Sequence, residues 1–239
     1  MTGSAFEYKD GNTILEGYLA VDQANHKKRP GVLVFHEWMG VADHEKAACN
    51  DLAKAGYIAL AGDIFGKGVR PTTMEQAAQN ANHYRAGDRA LMRQRAAAAL
   101  AALRGHPLCE GNKIAAIGFC FGGTVALELA RSGADIKGVV TFHGGLNTQS
   151  PAVAGTLKAK ILALHGAEDP FVPGPEVAAF QEEMRKAKAD WQFVQYSGAV
   201  HSFTNPGAGN QPEKGFAYNA VAARRSWQAM LSFFSEIFA

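Results

Sequence analysis

Short apolar runs alternate with longer stretches of helical periodicity along most of the chain. The runs are GVLVFH at 31–36, YIALAGD at 57–63, KIAAIG at 113–118, KGVVTF at 137–142, KILALH at 160–165 and WQFVQY at 191–196. Most lack the strict alternation of a strand with one wet face, and unbroken apolarity is what a strand buried on both faces requires. The segment 15–21 does alternate and is expected to form an antiparallel edge strand. Helical patterns lie at 43–55, 85–103, 122–132, 176–189 and 214–238. The first takes Asp43 as N-cap and Gly56 just past its end. The second is Ala-rich and closes before Gly105 and Pro107.

Strands alternating with helices specify βαβ units, and so a mostly parallel sheet covered by helices on both faces. No internal repeat, low-complexity tract or long Pro/Gly-rich linker interrupts the pattern, so residues 1–239 are expected to form one α/β domain. Only 66–79 resists assignment. It is expected to be a loop and a short helix over the carboxyl edge of the sheet, where sites of open α/β sheets form.

Composition narrows the function classes. Apolar residues make up 47% of the 239, enough for a real core, and the 19% charged fraction is not that of a disordered chain. The net charge of +2 is spread along the chain, which leaves no basic footprint for nucleic acid or an anionic membrane. Three cysteines, none in CxxC spacing, argue against a disulfide framework or a structural zinc site. Residues 1–10 do not read as a signal peptide, and no apolar run approaches membrane-spanning length. A cytoplasmic location, where a free thiol survives, is expected.

The chemistry concentrates at Gly118-Phe119-Cys120-Phe121-Gly122, with Gly123 behind it. This G-x-C-x-G segment follows a strand run and opens a helical one, the context of a nucleophile elbow. Such a turn is tight, so the neighbours of the nucleophile must lack bulk. The side chain then stands at a helix N-terminus, where free N–H groups and the helix dipole favour negative charge. Thiolate, the reactive form of cysteine, is favoured there, and the Phe121 N–H faces a developing oxyanion. The bland alternative is a buried cysteine among glycines that only allow close packing.

Asp169 follows the run at 160–165, and His201 follows the run at 191–196, in the chain order nucleophile, acid, histidine. A thiol needs a base to take its proton, imidazole does so near neutrality, and a carboxylate on the far nitrogen fixes the tautomer. Glu168 is the competing acid. His143 and His165 read as packing or loop-shaping residues, with a pocket-lining role the alternative for His143, and Cys49 and Cys109 read as structural. After the run at 31–36 comes His36-Glu37-Trp38-Met39-Gly40. The Trp38 backbone is the expected second oxyanion donor. Glu37 would either hydrogen-bond the thiol or act as an initial base, unless it is merely a solvated loop residue.

HEWMG, GDIFGKG, GFCFGG, HGAEDP and HSF, in that order, resemble the dienelactone hydrolases from about Leu15 to the C-terminus. The resemblance implies an α/β-hydrolase fold, a Cys120–Asp169–His201 triad, and a glutamate at Glu37 linked to thiol activation. It also implies arginines that hold a substrate carboxylate, one shortly after the catalytic histidine. Here Asn205 stands in that place, so little preference for acidic substrates is expected, with Lys67 and Arg70 as the other candidate cations. The function expected is hydrolysis of a small-molecule carboxylic ester or lactone, with no metal or organic cofactor. A thioesterase or acyltransferase using the same site, or a non-catalytic binding protein of this fold, are the alternatives. The sequence leaves the oligomeric state open.

Overall fold

In the computed structural model, residues 3–239 are described. The strands are β1 (Ser4–Asp10), β2 (Thr13–Ala20), β3 (Arg29–Phe35), β4 (Ile58–Gly62), β5 (Cys109–Phe119), β6 (Gly138–Phe142), β7 (Lys160–Gly166) and β8 (Trp191–Tyr196). The helices are α1 (Asp43–Lys54), α2 (Met74–Arg85), α3 (Ala90–Arg104), α4 (Phe121–Arg131), α5 (Gly174–Lys186) and α6 (Ala220–Ile237). The strands form one eight-stranded sheet in the order β1-β2-β4-β3-β5-β6-β7-β8. From β4 through β8 every pairing is parallel, whereas β1–β2 and β2–β4 are antiparallel. This is the mostly parallel sheet covered by helices on both faces that the alternation of runs and helices implied.

The central strands are buried on both faces, which is why their sequences do not alternate. Leu33 and Phe35 of β3 face the layer built from α2, α3, α4 and α5. Val32 and Val34 face the opposite layer, built from α1 and α6. Full burial of a side chain such as Phe35, Phe119 or Phe142 stabilises the fold by about 1.5–3 kcal/mol each.

Several expected boundaries shift. The edge strand is β1, and the alternating segment at 15–21 forms most of β2, paired on both sides. The continuous helix expected at 85–103 is two helices. Gly87 (φ 57°) and Arg89 (φ 61°) turn the chain between α2 and α3, and a left-handed residue cannot continue a right-handed helix. The unassigned stretch at 66–79 ends inside α2. The cap of α1 is Ala42 rather than Asp43, because the Glu45 carboxylate reaches back to the Ala42 N–H at 3.0 Å. The helix expected from 214 begins at Ala220, with the Asn219 side chain accepting from the Ala222 N–H. No helix among the described residues is long and apolar enough to cross a membrane.

Candidate active site

Cys120 lies between β5 and α4 with φ 51° and ψ −113°, a backbone that a side-chain-bearing residue rarely adopts. The turn is possible because its neighbours are glycines. A Cβ on Gly118 would fall on the carbonyl oxygen of Gly122, and one on Gly122 would fall on that of Phe35. Phe121 begins α4, so the first N–H groups of the helix, those of Phe121 and Gly122, have no intrahelical partners, whereas the Gly123 N–H donates to the Cys120 carbonyl at 3.0 Å. Of the three cysteines, Cys49 and Cys109 are buried and Cys120 is partly open. Burial pushes the thiol of Cys49 well up, and that of Cys109 up to about 11.

His201 follows β8 in a loop pinned to residues 215–217. Its N–H donates to the Gly215 carbonyl at 3.1 Å, and its carbonyl accepts from the Ala217 N–H at 3.1 Å. Its Nδ1 meets Asp169 Oδ2 at 2.8 Å. Asp169 is buried, and its other oxygen accepts from the Phe171 N–H at 2.8 Å. Nδ1 is thereby taken, which leaves Nε2 for Cys120, which lines the same cavity. Burial opposes a charge on His201, but the influence of Cys120 and the bond to Asp169 outweigh it and raise the imidazole to about 10. Glu168, the competing acid, is exposed, whereas Asp169 is buried against His201.

Cys120 and His201 open into a cavity of about 540 Å³. Trp38, Met39, Met74, Phe171 and Phe216 supply much of its apolar wall. Glu37 lines it too, and burial pushes its carboxyl up, against the bond from Asn205, the charge of His201 and the bond from Ser202. Asn205 Nδ2 donates to Glu37 Oε2, and Ser202 Oγ lies 3.5 Å from Oε1. From behind, Glu45 accepts the Glu37 N–H at 3.0 Å. Burial, then the charge of Glu37, raises the carboxyl of Glu45 to about 8.

Lys67 and Arg70 do not reach the cavity. Lys67 pairs with Glu7 and Glu16, and Arg70 with Asp63 and backbone carbonyls. The cavity's cation is Arg85, at the end of α2, with its guanidinium 5.4 Å above the Phe121 ring. Among the described residues it has no carboxylate partner. The other carboxylate in the wall, Glu176, is saturated by the N–H groups of Leu146 and Asn147 and the Asn147 amide. Arg85 was hidden in the sequence because the expected helix at 85–103 placed it on the wrong element.

This chain matches the dienelactone hydrolase family over residues 15–238. It belongs to that family. It is a dienelactone hydrolase-like enzyme, a hydrolase of the ester and lactone class. A solved dienelactone hydrolase-like promiscuous phosphotriesterase from metagenomic libraries is 44% identical, with a TM-score of 0.91, over 99% of this chain and 98% of its own. An uncharacterised protein of Caenorhabditis elegans is 38% identical over 62% of this chain and 95% of its own. A Yersinia pestis protein, provisionally named a carboxymethylenebutenolidase, is 28% identical over 93% of this chain and 84% of its own.

Proposed function

We propose that this dienelactone hydrolase-like protein, acting as one domain over residues 1–239, cleaves carboxylic esters or lactones through a Cys120–His201–Asp169 triad. The observation that carries the reading is the convergence of the strained Cys120 elbow with His201, itself held by Asp169 at 2.8 Å. Cys120 Sγ attacks the carbonyl carbon, and the carbonyl electron pair moves onto oxygen. The N–H groups of Phe121 and Trp38 receive that oxyanion. As the C=O re-forms, the C–O bond to the leaving group breaks and His201 protonates the departing alkoxide. In a lactone that alkoxide stays tethered to the acyl group. His201 then takes a proton from water, the hydroxide attacks the thioester, and the thiolate leaves. Asp169 holds the ring tautomer and stabilises the imidazolium throughout. Glu37 is read as a modulator of the thiol, acting from the same cavity.

The test is kinetic. His201→Ala is expected to lower kcat on the order of 10³-fold, with the loss not additive with that of Asp169→Asn. Turnover within a few-fold of the parent enzyme removes the histidine from the mechanism.

A second substrate class, phosphotriesters, is favoured by the 44% identity to a promiscuous phosphotriesterase. The same thiolate would attack phosphorus and expel an aryloxide, and the same N–H groups would face the phosphoryl oxygen. Release of aryl alcohol from a diethyl aryl phosphate, lost in Cys120→Ala, tests it.

A further inference from the structure

We infer that His143 is a positioning residue that sets Cys120 against the loop carrying His201, an inference that rests on Cys120 being the nucleophile. His143 follows β6, is fully buried and has φ 41°. It does not line the cavity, and the mechanism above gives it no step. Yet both of its ring nitrogens are engaged. The Cys120 N–H donates to His143 Nδ1 at 3.2 Å, sharing its hydrogen with the Phe142 carbonyl at 3.0 Å. His143 Nε2 lies 2.7 Å from Thr204 Oγ1, which in turn lies 3.3 Å from His44 Nε2.

The donors fix the protons along this chain. A backbone N–H can only donate, so Nδ1 of His143 carries a lone pair and its proton sits on Nε2. Nε2–H therefore donates to Thr204, and the Thr204 hydroxyl hydrogen is free for His44 Nε2. Burial, together with the charges of His201, His44 and His165, holds His143 well below the usual imidazole range. Only the neutral ring can accept on one side and donate on the other.

The consequence is geometric. One side of the His143 ring holds the backbone N–H of the nucleophile. The other holds Thr204, three residues beyond His201, and through it α1. The His143 ring also sits 5.3 Å from the His201 ring and 5.1 Å from that of Phe203, both edge-on. One buried imidazole thus ties the elbow after β5 to the loop after β8, the two segments whose spacing sets the Sγ–Nε2 approach. Misplacement of reacting groups by about 1 Å costs roughly 10²-fold in rate.

The experiment compares wild type, His143→Phe, His143→Asn and Thr204→Val in single-turnover acylation by an activated aryl ester. Peptide mapping locates the acyl group, KM is measured in parallel, and thermal melts report folding. Asn carries an acceptor oxygen on Cγ, as His carries Nδ1 there, and tolerates positive φ. His143→Phe is expected to slow acylation about 10- to 100-fold with KM changed less than about threefold, and His143→Asn to recover most of the loss. Thr204→Val is expected to slow acylation with Cys120 still the labelled residue. Equal losses in the Phe and Asn variants, or acylation within twofold of wild type in Phe, overturn the inference. If the Phe variant does not fold, unchanged acylation in Thr204→Val overturns it. Failure to find acyl-Cys120 in wild type itself overturns the nucleophile reading, and this inference with it.

Discussion

Asn205 donates its side-chain amide to the carboxylate of Glu37. The orientation is fixed, because Asn205 Oδ1 already accepts the Gly207 N–H at 2.8 Å, so Nδ2 is the atom that faces Glu37. The residue standing where an arginine was expected is therefore committed to a carboxylate of the protein, and its two polar atoms leave little for a substrate.

This pair has a pH signature. Burial raises the Glu37 carboxyl, and Asn205 is the largest influence holding it down. In Asn205→Ala that carboxyl rises further and stays protonated to higher pH. If the ionised form serves turnover, the acid limb of kcat/KM moves to higher pH. A pH–rate profile of the variant checks this, and an unmoved limb separates Glu37 from the chemistry.

His201 links the site to stability. Its folded-state pKa, about 10, lies above the ordinary 6.5, so between these values the folded protein holds a proton that the unfolded chain releases. The contribution is complete below about pH 6.5 and is lost as pH rises through about 10. The gap in melting temperature between wild type and His201→Gln is expected to narrow steadily over that window. A gap that widens with pH contradicts the assignment.

Arg85 is expected to govern charge selection in the cavity. One half-buried guanidinium without a carboxylate partner gives a weaker grip than a bidentate pocket of two arginines. A lactone bearing a carboxylate is expected to exceed its methyl ester in kcat/KM by less than about tenfold, since a well-made charged bond is worth about 1.5–3 kcal/mol. Arg85→Gln should erase that preference. Matched-pair kinetics at moderate salt decide it, and a preference that survives in Arg85→Gln places the anion elsewhere.

Away from the cavity, Glu128 is fully buried on α4 and receives Arg89 at 3.0 Å, Arg93 at 2.6 Å and Arg131 at 3.2 Å. Glu128→Ala leaves those cations with Glu183 as their remaining carboxylate, bound to Arg131 at 2.7 Å. A loss of about 3–5 kcal/mol in unfolding free energy is expected, as for a broken buried ion pair. Chemical denaturation measures it, and a loss under about 1 kcal/mol shows that the network adds little.

Much of this was readable in advance, for physical reasons. Strands buried on both faces leave unbroken apolar runs, and β8 was placed to the residue at 191–196. The elbow was legible because its glycines answer a steric demand local to five residues. What escaped depends on contacts distant in sequence. Nothing near Glu45 says that it will hold the Glu37 N–H, and nothing near Thr204 says that it will meet His143. The turn between α2 and α3 was missed because Gly87 and Asp88 interrupt a run otherwise rich in helix formers, and Arg85 was misplaced with it. β1 escaped because SAFEYKD, with one buried residue in seven, carries almost no apolar signal.

The central claim is that Cys120 becomes covalently acylated during turnover. Intact-mass and peptide-mapping spectrometry after rapid quenching of the enzyme with an activated aryl ester tests it directly. The account requires one acyl group, on the peptide containing Cys120, formed in a burst and discharged at the steady-state rate, and absent in Cys120→Ala. Steady turnover with no acyl group on Cys120, or an adduct on Cys49 or Cys109 that forms and decays at the catalytic rate, would contradict it.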